Sequence, residues 1–252
     1  MKKTFFIFLS LVFYTHFAHA LVIKVGTGNS YKPFCYVGEN NEAVGFDIEL
    51  LKLLSSIDEN LSFEFVPQSF NTLFVGLDGA KFDMLAHQIA KTKEREEKYI
   101  FSDTPYFNVF LNFITAPDSN ITSFADLKDK KIGAVVGSNQ ALRIEEFIKN
   151  EPNLNAKIVH FKNYGALFLA LKNKQIDALL DNPIVALDYA KAQGVAIKIT
   201  DLNLQKTSVF FVFAKENIEL KNKISKALEL ARQKGELKAL SLRYFNADYT
   251  SN

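Results

Sequence analysis

The sequence predicts an α/β protein built from two similar lobes that are joined by two crossings of the chain. Three observations predict it. Strand-like and helix-like segments alternate over residues 21–86, the same order recurs over residues 131–180, and the strongly β-patterned stretches Phe107–Thr115 and Thr207–Ala214 flank the second repeat. Such alternation is typical of sheets whose faces are covered by helices. Two crossings allow a hinge, so the lobes can close on a molecule between them.

The first repeat is a β-α-β-α-β unit. Its predicted strands are Val22–Gly26, Ser62–Val66 and Phe82–Ala86, and its predicted helices are Phe46–Ile57 and Phe70–Leu77. Ser69 stands at the N-cap position of the second helix. That helix has the i, i+3, i+4, i+7 spacing of a face packed on a core, at Phe70, Leu73, Phe74 and Leu77.

The second repeat has predicted strands at Lys131–Val136, Lys157–Phe161 and Ile176–Leu180 and helices at Ala141–Lys149 and Tyr164–Asn173. Phe70–His87 aligns with Tyr164–Asp181 without a gap, pairing Leu73 with Leu167, Phe74 with Phe168, Leu77 with Leu171, Asp83 with Asp177 and Leu85 with Leu179. This register places His87 and Asp181 just beyond the ends of equivalent strands. Ligands bind at that edge of open α/β sheets.

The first twenty residues have the pattern of a secretory signal: two lysines, an apolar run and the small-residue site Ala18-His19-Ala20. We expect cleavage after Ala20 and a periplasmic location. A membrane anchor is the alternative, but the run is shorter than the ~20 residues that cross a bilayer. Two C-terminal helices are predicted to return to the first lobe, which gives a signal peptide at 1–20, lobe I at 21–107 and 208–252, and lobe II at 108–207.

Charge and composition narrow the classes of partner. Without Lys2 and Lys3, 28 basic residues face 28 acidic ones, so nothing favours nucleic acid. Cys35 is the single cysteine, which excludes an internal disulfide and is more typical of a packed small hydrophobe than of a nucleophile. Only His87 and His160 remain after the signal, so a His/Cys metal cluster is not available. We expect a monomer without a cofactor.

Three segments carry a resemblance: Gly45–Leu50, Thr92–Arg95 and Phe101–Tyr106. In this order and spacing they resemble the bacterial periplasmic polar-amino-acid-binding proteins, the family 3 solute-binding proteins of ABC transporters. The similarity spans essentially the whole chain after the signal. It implies the type II periplasmic-binding-protein fold, with a mixed sheet flanked by helices in each lobe and two hinge crossings. It also implies amino-acid transport: the cleft captures a free amino acid for a membrane permease, and no catalysis is required.

The resemblance assigns the two ends of the amino acid. Arg95 matches the arginine that grips the α-carboxylate, and a planar guanidinium suits a carboxylate because two parallel bonds fix its orientation. The alternative is a solvated charge in the run Lys91–Lys98. Asp181 matches the aspartate for the α-ammonium, and its alternative is an N-cap of a helix at Asn182–Ala192.

Aromatic residues of the first lobe cover the ligand side chain in this family, and Tyr31 and Phe70 fall at those positions. Phe70 also completes a helix stripe, so core packing is its alternative. Asp47 and Glu49 lie in an early helical turn, where acids favour the positive end of the dipole, and we interpret them as structural. The turn at Ser138 and Asn139 leads into a helix whose free amides can hold a carboxylate.

Departures from the family pattern bear on the ligand. Relatives that bind basic amino acids place an acid where this chain has Gly28, so a buried cationic side chain is disfavoured. Ala90 replaces a common hydroxyl, which puts that bond to the carboxylate in doubt. Residues 87–92 and the turn at Gly137 most resemble the cystine-binding branch, and His87 replaces its usual Asn. A histidine titrates near neutral pH, so binding is expected to depend on pH.

We therefore expect L-cystine, or another polar amino acid, in a cleft lined by Tyr31, Phe70, His87, Gln88, Ala90, Arg95, Ser138, Asn139 and Asp181. One alternative is an enzyme, because the same fold hosts a dehydratase acting on cyclic amino-acid precursors. Such chemistry needs a positioned acid or base, and the obvious acid of the cleft is already assigned to an ammonium. The other alternative is the ligand-binding module of a sensor, although the sequence ends without a signalling domain.

Overall fold

The computed structural model describes residues 21–251, and the predicted signal peptide lies outside them. The first part of the chain forms seven strands and three helices. They are β1 (Leu21–Gly28), β2 (Ser30–Tyr31), β3 (Cys35–Val37), β4 (Ala43–Val44), α1 (Phe46–Ile57), β5 (Leu61–Gln68), α2 (Phe70–Asp78), β6 (Met84–Ala90), α3 (Lys93–Lys98) and β7 (Tyr99–Phe101).

The remaining chain forms five strands and five helices, with short 3₁₀ turns at Phe124–Leu127 and Pro152–Leu154. They are β8 (Phe107–Thr115), β9 (Lys131–Val135), α4 (Asn139–Asn150), β10 (Lys157–Phe161), α5 (Tyr164–Lys172), β11 (Ala178–Asp181), α6 (Pro183–Gln193), β12 (Lys198–Ala214), α7 (Ile218–Gln233) and α8 (Glu236–Phe245). Between residues 21 and 251, every helix is too short or too polar to cross a membrane.

One nine-stranded sheet runs through the molecule in the order β10-β9-β11-β8-β12-β6-β1-β5, and β7 also pairs with β12. At one end β1 runs parallel to β5 and β6, and at the other β9 runs parallel to β10 and β11. The two central strands, β8 and β12, are antiparallel to their neighbours. Each end of the sheet is thus a mixed sheet, and its helices pack on its faces.

The pair of strands β8 and β12 carries the chain between the two ends, from the Lys198 and Thr115 pair to the Val209 and Phe107 pair. The predicted strand at Thr207–Ala214 is too short, because β12 begins at Lys198. Its first half was missed because it is polar and its register against β8 shifts twice, which breaks the alternation that sequence reasoning needs. The predicted lobe boundaries fall at the adjacent pair Asn108 and Ser208.

Separate cores lie on the two sides of this strand pair. In lobe I, helices α7 and α8 pack on α1, and their Leu228 and Leu240 share a core with Phe46. In lobe II, Phe113 and Leu180 belong to a different buried cluster. Val185 of α6, in lobe II, also joins the lobe I cluster. Because most of each core belongs to one side, the two sides can move relative to each other while most of each core stays packed.

The repeated register is visible in a matched pair of hydrogen bonds. The carboxylate of Asp83 accepts from the Lys24 backbone N–H at 2.7 Å, and that of Asp177 accepts from the Lys131 backbone N–H at 2.8 Å. Each aspartate thus bonds its lobe's first strand, at the fourth residue of β1 and at the first residue of β9. Ser69 does stand at the N-cap of α2, but its hydroxyl accepts no bond from the helix backbone.

Two predicted strand ends are wrong. Strand β6 begins at Met84 and continues to Ala90, because Ile89 and Ala90 pair with β12, so His87 lies within the strand rather than beyond it. Asp181 is the last residue of β11. Helix α4 starts at Asn139, two residues before the predicted start.

Gly45 generates a prediction about the fold. Its φ is 120°, a conformation that L side chains rarely adopt, and a Cβ there would collide with the carbonyl oxygen of Phe34. That oxygen accepts the Asp47 N–H at 2.9 Å, so it cannot move aside without disrupting the start of α1. We expect Gly45→Ala to lower the free energy of unfolding by about 3 kcal/mol or more, since backbone strain and overpacking add.

Gly235→Ala is the matched control, because Gly235 has a φ of 73° and open space around its missing Cβ. We expect a cost of about 1 kcal/mol there, from the left-handed backbone alone. Urea unfolding of the three proteins measures both values, and equal costs would contradict the role of the close approach.

Candidate functional site

The predicted site residues meet in a cleft between the two lobes. Eight of the nine line one small inner cavity of about 30 Å³: Tyr31, Phe70, His87, Gln88, Ala90, Arg95, Ser138 and Asn139. A wider cavity of about 450 Å³ shares Tyr31, Phe70 and His87 with it and leads outward past Lys162. Another cavity, of about 440 Å³, lies elsewhere on lobe II beside the exposed ion pair of Lys174 and Asp118, and it contains none of the predicted residues.

Arg95 is a buried cation, with 8% of its surface exposed. Its Nη1 donates to the Ala90 carbonyl at 2.9 Å and its Nη2 donates to the Gly137 carbonyl, in the other lobe, at 3.0 Å. Burial lowers its pKa to about 10. Both groups that accept from the Arg95 side chain are neutral backbone carbonyls. A guanidinium has five N–H donors, so donors remain for an anion. The burial argues against the alternative of a solvated charge.

Aromatic rings hold Arg95 in place. Its guanidinium lies 5.0 Å from the ring centroid of Phe74 and 5.9 Å from that of Phe70, within the range of cation–π attraction. The Thr92 hydroxyl caps α3 by accepting the Arg95 N–H at 3.2 Å. The motif Thr92–Arg95 thus makes a short helix whose cap fixes the backbone of the arginine.

The start of α4 lies beside this guanidinium, because the Gly137 carbonyl is one of its two partners. Ser138 is the N-cap of α4, and its hydroxyl accepts the Ala141 N–H at 3.1 Å. The first N–H groups of a helix lack intrahelical partners and carry the positive end of its dipole. Arg95 and the first turn at Asn139 together make this part of the cleft strongly favourable for a carboxylate.

Asp181 is fully buried at the end of β11. Its Oδ1 accepts the Asn182 N–H at 2.7 Å and the Gln140 Nε2 at 2.9 Å, while its Oδ2 is buried and has no hydrogen-bond partner in the described part of the chain. Burial raises its pKa to about 7. The alternative that Asp181 caps a helix is wrong, since Asn182 is the N-cap of α6. The free oxygen makes Asp181 an acceptor for a cationic donor.

An aromatic wall encloses the cleft on the lobe I side. The imidazole of His87 lies between Tyr31 and Phe70, with ring centroids 5.1 and 5.2 Å away. Tyr164 of lobe II completes the wall at 5.1 Å from Tyr31. Sequence reasoning missed Tyr164, although the repeat register that aligns Phe70 with it contained the signal. It also missed Gln140, which bonds both Tyr164 and Asp181.

The expectation that His87 titrates near neutral pH is wrong. Burial lowers its pKa to about 4, so the imidazole is neutral at physiological pH. His87 also explains Gly28, because a Cβ at residue 28 would collide with the imidazole. The site therefore has no room for an acidic side chain at that position.

Asp47 and Glu49 lie in the first turn of α1, as predicted, and Asp47 in addition bonds residues beside the cleft. Its carboxylate accepts from the Gln88 backbone N–H at 3.2 Å, the Gln88 Nε2 at 2.7 Å and the Tyr106 hydroxyl at 3.1 Å. Asp47 therefore connects α1 to the cleft. Glu49, in contrast, makes an exposed pair with Lys52.

Over residues 21–251 no three His, Cys, Asp or Glu side chains cluster as a metal site requires. Cys35 is buried in the lobe I core, and burial raises the pKa of its thiol, so it is a packed hydrophobe there.

Residues 23–247 match the family model for bacterial extracellular solute-binding proteins, family 3. The chain belongs to this family. The L-cystine-binding protein TcyK of Bacillus subtilis is 33% identical to this solute-binding protein over 232 residues, which cover 90% of this chain and 85% of TcyK.

Two solved structures are similar to this solute-binding protein. One comes from work on glutathione import through GshT and the cystine ABC importer TcyBC of Streptococcus mutans, with a TM-score of 0.82, 26% identity and coverage of 92% of this chain and 97% of that one. The other is the ancestral amino acid-binding protein AncCDT-1, a precursor of cyclohexadienyl dehydratase, with a TM-score of 0.75, 30% identity and coverage of 89% and 95%. The predicted two-lobed type II fold is thereby confirmed.

The raised pKa of Asp181 gives this solute-binding protein a distinctive dependence of stability on pH. A carboxyl with a folded-state pKa of about 7, against an ordinary 3.8, binds its proton more tightly in the folded state. Its contribution is therefore fully present below about pH 4 and is lost as pH rises towards 7. Asp181→Asn removes that loss. Without ligand, the free energy of unfolding of the variant minus that of wild type should rise by up to about 3 kcal/mol from about pH 5 to about pH 7.5.

Urea unfolding at the two pH values measures this difference. Asp126→Asn is the control, because bonds from Thr122 and Ser123 lower the pKa of this exposed carboxyl to about 2. Asp126 is thus ionised at both pH values in both states, and its variant should differ from wild type by the same amount at each. A pH-independent difference for Asp181→Asn would contradict the assignment.

Proposed function

We propose that this chain is the ligand-capturing component of an amino-acid ABC transporter and that it binds a neutral polar amino acid, L-cystine in preference, between its lobes. The observation that carries the proposal is a pair of opposite, uncompensated charges in one cleft. Arg95 is buried with only carbonyl partners, and Asp181 keeps a buried oxygen without a partner. A zwitterion supplies the missing charge to each.

The carboxylate end fits the Arg95 side of the cleft. There the remaining guanidinium donors and the first turn of α4 converge, and Ala90 contributes through its backbone carbonyl, which positions Arg95. The absence of a hydroxyl at residue 90 leaves these donors as the source of carboxylate binding. The α-ammonium fits Asp181 Oδ2, because a cation bound against a buried carboxyl group favours its charged form.

The side-chain end is built for a neutral group. Tyr31, neutral His87 and Phe70 form the wall there, and His87 fills the space that an acid at Gly28 needs. A basic ligand side chain would lose its hydration without gaining a carboxylate in the wall. The similarity to TcyK, whose name specifies L-cystine, supports the same choice.

Contacts between the lobes support closure around the ligand. Besides the bond from Arg95 to Gly137, the Tyr189 hydroxyl donates to the Ser30 carbonyl, and Tyr31 packs on Tyr164. We infer that the ligand favours this closed arrangement because it binds both lobes at once. The permease would recognise the closed shape. In this proposal the chain is exported to the periplasm, is cleaved after Ala20 and acts as a monomer, with lobe I at 21–107 and 208–252 and lobe II at 108–207.

A dehydratase is the second candidate. AncCDT-1 is described as a precursor of such an enzyme, and Asp181, with a pKa of about 7, has the acidity of a general acid at neutral pH. Binding is the better-supported function, because every donor and acceptor described above is accounted for by a zwitterion.

The choice of ligand is tested by a thermal-shift screen of the mature chain against the amino acids, followed by calorimetry. Binding to the native state raises the melting temperature by mass action. We expect L-cystine to give the largest shift and to bind more tightly than L-arginine or L-lysine. Tighter binding of L-arginine than of every neutral amino acid would refute the neutral pocket. Turnover of a prephenate-like substrate would instead establish the enzyme.

The carboxylate assignment is tested by Arg95→Ala. Losing one member of a buried charge pair costs about 2–5 kcal/mol, so affinity for L-cystine should fall roughly thirty- to several-thousand-fold. Arg95→Lys should recover little, because an ammonium lacks the bidentate fork. Arg143→Ala, which removes a surface arginine paired with Glu146, is the control and should bind like wild type. Wild-type affinity of Arg95→Ala would remove the assignment, and a collapsed ligand-free melting temperature would make Arg95 structural.

A further inference from the structure

Gln88 has an unusual backbone for a residue inside a strand. Its φ is 49°, in the left-handed region, although it lies within β6. The pairing of β6 with β12 shifts register between Phe210 and Val212, so the chain bulges at this point. A non-glycine residue in that region costs about 1–2 kcal/mol. Surrounding interactions must hold it there.

Asp47 and Tyr106 hold the bulge. The Gln88 backbone N–H donates to the Asp47 carboxylate at 3.2 Å and to the Tyr106 hydroxyl at 3.0 Å, and that hydroxyl donates to Asp47 at 3.1 Å. Asp47 and Tyr106 are fully buried. The ring of Tyr106 stacks on Phe211, opposite the bulge, with centroids 4.4 Å apart. The backbone of Gln88 is therefore fixed from below the cleft.

The same carboxylate orients the side chain. Asp47 Oδ1 accepts the Gln88 Nε2 at 2.7 Å. Burial raises the pKa of Asp47 to about 7, although the bonds from Gln88 and Tyr106 lower it, so above pH 7 the carboxylate is ionised and can only accept. The amide nitrogen is therefore committed to Asp47, and the amide oxygen is turned to the other side. That oxygen, Gln88 Oε1, is buried and has no hydrogen-bond partner among residues 21–251. A buried acceptor left unpaired costs about 1–3 kcal/mol.

Gln88 lines the inner cavity together with Arg95, Asn139 and Gln140, and Gln140 bonds directly to Asp181. Gln140 therefore connects two buried acceptors that have no hydrogen-bond partner among residues 21–251, Gln88 Oε1 from lobe I and Asp181 Oδ2 from lobe II. An ammonium has three N–H donors, so a single carboxylate oxygen does not saturate it.

We propose that Gln88 is a ligand-binding residue whose amide oxygen, oriented by Asp47, accepts a hydrogen bond from the ligand's α-ammonium alongside Asp181. Asp47 is then a positioning residue that acts through Gln88. This rests on the proposed function, because it needs a ligand with a free ammonium. The ammonium would bridge the two lobes, so its recognition would contribute directly to closure.

The test uses Gln88→Met in the mature chain, because methionine has the same length and no amide. Affinity is measured for L-cystine and for L-arginine. For each one that the wild type binds, we expect the affinity to fall about ten- to a hundredfold, the range for a hydrogen bond to a charged group. The ligand-free melting temperature should change little, because losing the unpaired buried oxygen offsets losing the bond from the Gln88 Nε2 to Asp47. Gln233→Met, which removes an exposed amide bonded to Glu229, is the control and should bind like wild type.

A double-mutant cycle tests the positioning role of Asp47. When Gln88 is present, Asp47→Asn should weaken binding at least about threefold. In the Gln88→Met background it should weaken binding less than about twofold, because Asp47 affects binding through the Gln88 amide. Equal effects in both backgrounds would overturn that role. Wild-type affinity of Gln88→Met would overturn the contact. If wild type binds neither amino acid, the proposed function fails first.

Discussion

The cleft buries one positive group, Arg95, and one negative group, Asp181, and neither has an opposite charge in direct contact among residues 21–251. The rest of this structure depends on that constraint. A buried guanidinium and a buried carboxylate are costly unless each meets an opposite charge. Here the protein supplies neutral dipoles instead: carbonyl oxygens for Arg95, and an amide and a backbone N–H for Asp181. These partners hold the groups in position without neutralising them. The remaining compensation has to come from outside the protein.

The sheet makes that arrangement reversible. Arg95 belongs to lobe I and Asp181 to lobe II, and the chain passes between the lobes through the paired strands β8 and β12. Each lobe keeps its own buried core, and equivalent aspartates, Asp83 and Asp177, fasten the first strand in each. Opening the cleft therefore exposes the charged groups to water while leaving most of each core packed. A ligand that neutralises both groups stabilises the closed form through this difference.

Much of the fold follows from local pattern, and the exceptions have physical causes. Helix Phe46–Ile57 was predicted with the observed bounds because its apolar spacing and the acidic residues of its first turn both indicate a helix there. Strand β12 was predicted too short because register shifts disrupt its alternation. The pKa of His87 was misjudged because two rings that bury it are distant in sequence. Repeat symmetry would have found Tyr164, whereas the contact of Asp47 with Gln88 spans 41 residues and leaves no local signal.

That last contact explains how two of the three recognisable motifs serve the site through the backbone of Gln88. Gly45–Leu50 contributes Asp47 and Phe101–Tyr106 contributes Tyr106, and both bond the backbone N–H of Gln88. Every residue except proline has that N–H, so this part of the frame does not depend on the side chain at residue 88. The side chain can therefore be exchanged while the strained backbone stays in place. A rigid frame beneath a replaceable cleft residue lets one fold accept different ligands by changing few positions.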